Sequence, residues 1–158
     1  VAAGFPGKRI KSTRKRWMIK NFEEKGQSMI TWDENMSTGL PLIDAQHKML
    51  FDKFNEFSTS ISTEAATNVL DFLQFYATWH FAKEEEYMAK YDCPAAALNK
   101  QAHAEFLSTF GGFYEQWQSG SMSPELVESI YKSLEDWLVN HILHVDTQLH
   151  KYVVGSRE

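Results

Sequence analysis

Five side chains able to do chemistry sit where apolar residues are expected. His47, His80, Glu84, His103 and His141 fall on stripes otherwise made of Leu, Ile, Val, Phe and Tyr. A single imidazole on such a stripe is usually a hydrogen-bonded core residue. A carboxylate there is costly unless a cation or a donor meets it. His80 and Glu84 stand four residues apart, so on a helix they share one face and can address one metal centre. His141 and Asp146 are five apart, which is about 140° around an α-helix. That is too wide for one small ion but open to a dinuclear centre. Mixed imidazole and carboxylate donors with open positions suit iron ahead of zinc or manganese.

Four segments with helical periodicity must position these groups. The first runs from about Asp44 to Ile61, with His47, Leu50, Phe51, Phe54, Phe57 and Ile61 facing inward. The second starts at Thr63 and continues to about Lys90, with Val69, Leu73, Tyr76, His80, Glu84 and Tyr87 inward. The third opens at Pro94 and runs to about Gln118, carrying Asn99, His103, Phe106, Phe110, Phe113 and Trp117. The fourth opens with Ser123-Pro124-Glu125, a cap followed by Pro and an acid. It reaches about Leu149 and turns Val127, Ile130, Leu134, Trp137, His141 and Val145 inward. Short connections between such helices predict an all-α, up-down-up-down four-helix bundle. The stretch from Ile30 to Ile43 reads as an N-terminal extended arm, since Gly39 and Pro41 oppose regular structure. Gly111-Gly112 inside the third helix predicts a bend or a close helix contact.

The chain of 158 residues suits one domain, and 43% hydrophobic content is enough for a packed core. Residues 1–28 hold eight Lys and Arg against two acids, whereas the remainder carries a net charge of −11. The reading is therefore a basic, disordered tail over 1–28, a bundle over 29–150 and a C-terminal tail over 151–158. A chain starting at Met29 is the alternative for the tail. The acidic body argues against nucleic acid as a partner. No apolar run approaches a membrane span. Cys93 is the single cysteine, so an intramolecular disulfide is excluded and a cytoplasmic setting is the expectation. Beside Pro94, it reads as a helix-start residue.

The set of motifs resembles one family closely. Ile30-Thr31-Trp32-Asp33, then Gly39, then Ile43-Asp44-Ala45-Gln46-His47, is similar to the opening of bacterial hemerythrins. His80-Phe81-Ala82-Lys83-Glu84-Glu85, His103-Ala104-Glu105-Phe106-Leu107 and Trp137-Leu138-Val139-Asn140-His141-Ile142 followed by Asp146 resemble the motifs of its later helices. The resemblance implies two oxo- or hydroxo-bridged iron ions and reversible dioxygen binding, for carriage, storage or sensing. It implies His47 and His80 on one iron, His103 and His141 on the other, and Glu84 and Asp146 as bridges. Phe81, Trp137, Leu138 and Ile142 would line the oxygen pocket and slow oxidation by keeping water out. A non-enzyme is the expectation. The alternatives are a di-iron redox enzyme or sensor handling peroxide or NO, and a metal-binding module without oxygen chemistry. A sensor would need a signalling partner protein.

One position departs from the family pattern, which usually has His four residues before the third-helix His. Here that residue is Asn99. An amide oxygen is a weak neutral donor for iron, so the expectation is a vacant or water-filled position on the iron held by His103 and His141. His144, one turn beyond His141, reads as a surface or boundary residue, and His150 as exposed.

Overall fold

The computed structural model describes residues 19–22 and 27–157. Four long helices make up the body: α1 (Pro41–Thr59), α2 (Thr63–Lys90), α3 (Ala96–Ser119) and α4 (Pro124–Trp137). Each of α1 and α3 packs against both α2 and α4, and turns of a few residues reverse the chain between successive helices. This is the up-down-up-down bundle that the periodicity predicts. Ser62 caps α2 by accepting from the Ala65 N–H, and Ser123 caps α4 by accepting from Leu126 N–H. Among the described residues, no helix is long and apolar enough to cross a membrane.

The N-terminal arm is tied down by polar contacts. Asn55 on α1 mimics a neighbouring strand: its Oδ1 accepts from Ile30 N–H at 2.9 Å and its Nδ2 donates to Ile30 O at 2.8 Å. Asp44 gathers Ser37 Oγ at 2.6 Å and both Thr38 N–H and Thr38 Oγ1 at 2.8 Å. Those bonds let α1 start at Pro41, a residue suited to a first turn, three residues earlier than the sequence suggests. In the stretch read as a basic tail, β1 (Ile19–Phe22) pairs antiparallel with β2 (Gln27–Ile30). The rest of that stretch lies outside the described residues.

Several expectations need correction. Ile61 does not face inward: α1 ends at Thr59, and Ile61 lies exposed in the turn that follows. Pro94 precedes α3 instead of opening it, in a turn where Asp92 adopts φ 47°. Gly111 and Gly112 do not mark a close helix contact, because a Cβ at either would meet nothing within 4 Å. The fourth helix is not one α-helix to Leu149. It passes at Trp137 into a π-helical turn, Leu138–Ile142, then a 3-10 turn, Asp146–Gln148. The expected C-terminal tail instead holds helix α5 (Leu149–Gly155). Val153 on α5 is fully buried and packs on Gly39, whose φ of 79° disfavours a side chain and where a Cβ would come within 3.3 Å of Val153 Cγ1.

Candidate metal centre

The apolar interior is in two pieces with a polar layer between them. The larger piece includes Leu50, Phe54, Phe81, Phe106, Leu138 and Ile142. The smaller, at the end of the bundle, includes Leu40, Ile43, Met88, Cys93, Ala95, Val145 and Leu149. Along each helix the polar residues other than His80 fall between members of the two. His47 lies between Ile43 and Leu50, Glu84 between Phe81 and Met88, Asn99 and His103 between Ala95 and Phe106, and His141 and Asp146 between Leu138 and Leu149. His47, His80, Glu84, Asn99 and Asp146 are wholly buried, and His103 and His141 nearly so.

Their ligand atoms converge. His47 Nε2 lies 3.4 Å from Glu84 Oε1 and 3.3 Å from Asp146 Oδ2. His103 Nε2 lies 3.1 Å from Glu84 Oε2, and His141 Nε2 lies 2.9 Å from Asp146 Oδ1. His80 Nε2 is 3.8 Å from Glu84 Oε2. Two groups form, each with ligand atoms within 4.8 Å of one another: His47, His80 and Glu84, and Glu84, His103, His141 and Asp146. Glu84 belongs to both. The two oxygens of Asp146 face imidazoles from opposite groups.

The π-helical turn makes this arrangement possible. In a regular α-helix His141 and Asp146 would point about 140° apart. The wider turn at Leu138–Ile142 and the bend at Val145, φ −113°, change that rotation and bring Asp146 Oδ1 to His141.

Two imidazoles are oriented from behind. Gln46 Oε1 accepts from His80 Nδ1 at 2.8 Å, and Glu85 Oε1 accepts from His103 Nδ1 at 3.0 Å. With Nδ1 protonated, each Nε2 keeps its lone pair for the layer. Tyr76 stacks on His80, and its hydroxyl donates to the Gln46 backbone carbonyl. On the sequence Tyr76 reads as plain core, and Gln46 and Glu85 carry no assigned role. Their signals were adjacency to His47 and Glu84, and the i, i+4 step from Tyr76 to His80.

Burial opposes charge throughout the layer. At His47 the carboxylates of Asp146 and Glu84 outweigh it, raising the pKa to about 10. At His80 burial wins, with His47 and His103 adding to it, and the pKa falls to about 4. His103 is also raised, since Glu84 and Glu85 overcome burial. Glu84 stays well below the usual carboxylate range despite burial, because His103 and His47 face it. Protons on imidazole therefore supply the positive charge that two buried carboxylates demand.

The layer fits a multivalent cation better than it fits protons. Ten buried side-chain nitrogen and oxygen atoms among the described residues lack a hydrogen-bond partner, and all belong to Gln46, His47, His80, Glu84, Asn99 and Asp146. The close N···O approaches lack the directionality of hydrogen bonds, so lone pairs point at a common space. Such orphans are expensive in a native interior. Metal ions would satisfy the imidazole Nε2 and carboxylate atoms together.

Aromatic rings jacket one side. Phe81 lies flat on His103, with centroids 3.8 Å apart and planes at 8°. Trp137 stacks on His141 at 4.3 Å. Leu138 and Ile142 are fully buried beside them. A surface cleft of about 510 Å³ between α3 and α4 reaches His141 and Trp137 past Glu105, Asp136 and Asn140. His144 and His150 lie exposed and outside both groups, as read. Cys93 is a buried thiol in the smaller apolar piece.

Comparison with known proteins gives a consistent result. Residues 38–153 match the family described as the hemerythrin HHE cation binding domain. The chain is 28% identical to a bacteriohemerythrin of Stenotrophomonas maltophilia over 118 residues, covering 73% of this chain and 75% of the relative. It is 28% identical to a bacteriohemerythrin of Methylococcus capsulatus over 123 residues, covering 75% and 92%. It is 30% identical to a myohemerythrin of Theromyzon tessulatum over 115 residues, covering 73% and 86%.

Proposed function

This chain belongs to the hemerythrin HHE cation binding domain family, and on that premise we propose that it binds dioxygen reversibly at a di-iron centre. The family's cofactor is a pair of iron ions, and the His, Glu and Asp cluster is able to hold metal ions. In this reading His47 and His80 would hold one ion, His103 and His141 the other, and Glu84 and Asp146 would be shared between them. The observation that carries it is the set of orphaned lone pairs in one buried layer, with both carboxylates shared between the two imidazole pairs.

When bound, the iron pair supplies two electrons that dioxygen can take and return. The protein's part is positioning and exclusion. Gln46 and Glu85 accept from Nδ1 of His80 and His103 and so aim each Nε2 at the place the ions would take. Phe81, Trp137, Leu138 and Ile142 reduce the water access that oxidation needs. Four imidazoles against two carboxylates leave the ions more positive than a carboxylate-rich site would, which favours reversible binding over oxidative turnover. A non-catalytic role follows from the same donor balance. Redox sensing is a second reading, favoured by Asn99, whose buried amide replaces a strong donor.

The test is the visible spectrum of the anaerobically reduced, iron-loaded protein before and after air, with iron counted per chain. Two irons and a ligand-to-iron charge-transfer band that fades when dioxygen is removed are expected. Direct, irreversible oxidation with no such band would overturn reversible binding and leave the redox reading.

A further inference from the structure

Asn99 is fully buried, and neither Oδ1 nor Nδ2 has a hydrogen-bond partner. It lies one turn before His103 on α3, so both side chains project from the same face. It occupies the polar layer, with Ala95 of the smaller apolar piece one turn before it. A primary amide offers one acceptor oxygen and two donor hydrogens, and leaving them all unmet is costly. Binding iron through Oδ1 would use a weak neutral donor and leave Nδ2 unmet.

The donor count points the same way. Glu84 and Asp146 each present oxygens to both sides. Each ion would then have two imidazoles and at most a shared oxygen from Glu84 and from Asp146, so no more than four protein donors on either side. Neither side is filled by protein. We infer that the centre has an exchangeable ligand position on each iron, and that Asn99 holds the ligand on the His103–His141 side. That ligand is a water or a small anion, with Nδ2 donating to it and Oδ1 accepting from it when it carries a proton. This rests on the di-iron reading above.

The test is a titration of the diferric protein with azide, counting equivalents per chain alongside iron. Wild type is expected to take two. Asn99→His fills one position with imidazole and is expected to take one. Asn99→Ala, a good helix former of smaller volume, keeps both positions but loses the amide, so its second equivalent weakens about tenfold. One equivalent in wild type overturns the inference, and a rise from one to two in Asn99→Ala would identify the amide as an iron ligand instead. Two equivalents in Asn99→His also overturn it. If Asn99→His fails to retain iron, wild type and Asn99→Ala still decide. Azide binding does not depend on dioxygen uptake, so failure to bind dioxygen reversibly sinks the function and leaves this count standing. A chain holding fewer than two irons overturns both.

Discussion

Nε2 of His103, on α3, faces Nε2 of His141, in the π-helical turn, at 3.2 Å. Two imidazole nitrogens this close need either a shared proton or a cation between them. A metal bonded to both at about 2.1 Å would set them about 3.0–3.4 Å apart, between a right angle and a tetrahedral one. The pair is therefore already spaced as adjacent ligands of one ion.

Glu84 is common to both ligand groups, so its loss should cost both ions. Glu84→Gln is expected to lower iron from two per chain to below one, whereas His80→Ala should leave the His103–His141 side loaded. Native mass spectrometry reads the count directly. An unaltered two-iron peak for Glu84→Gln would remove Glu84 from the bridging role.

Iron-free protein should be most stable near pH 6.5. His47 binds its proton more tightly folded than unfolded, so its contribution is full below pH 6.5 and is lost as pH rises through about 10. His103 acts in the same direction. His80 is the reverse: its ring stays neutral in the fold down to about pH 4, so stability falls as pH drops from 6.5 towards 4. Glu84, depressed below 4.5, adds to the acid loss. Urea midpoints from pH 4 to 10 should trace a dome that flattens on iron loading, as metal replaces the protons. A profile that rises steadily to pH 10 would contradict this.

Phe81 should matter twice. Its ring covers His103 and also meets Phe106 edge-on at 5.3 Å. Phe81→Ala is expected to cost about 3–5 kcal/mol in chemical denaturation. It should also hasten air oxidation of the reduced iron-loaded protein, because water then reaches the His103 side. Stability loss with an unchanged oxidation rate would show that the ring packs without shielding.

Asn99→His should slow that same oxidation by adding a strong donor where the buried amide stands. The time course of charge-transfer loss in air measures it. An equal or faster rate would separate Asn99 from redox tuning.

Gly111 offers a control remote from the centre. It sits within a regular α3 with open space where a Cβ would stand. Gly111→Ala should stabilise by about 0.5–1 kcal/mol and leave iron content unchanged. Destabilisation would mean that the apolar cavity lined by Gly111, Leu73 and Phe106 does not tolerate the methyl group.

Much of this was legible in the chain alone, because burial follows a local rule. A helix whose apolar positions recur every three or four residues exposes any polar residue that joins the stripe. His47, His80, Glu84, His103 and His141 all broke their stripes in that way and all are buried. Asn99 was equally visible, as an amide on the stripe of α3. Helix ends were less legible. Pro41 starts α1 only because Asp44 organises Ser37 and Thr38 ahead of it, and Ile61 falls outside because α1 stops first.

Residue types and periodicity alone therefore determined the bundle, the polar layer's place on each helix and a donor set suited to iron. Tertiary structure decided how the donors meet. A periodicity argument assumes one constant rotation per residue, and on that assumption His141 and Asp146 diverge. The π-helical turn breaks the assumption and places Asp146 between imidazoles of α1 and of the turn itself. The partners behind the imidazoles were likewise hidden. Gln46 serves His80 across 34 positions and Glu85 serves His103 across 18, distances that only the packing of helices closes.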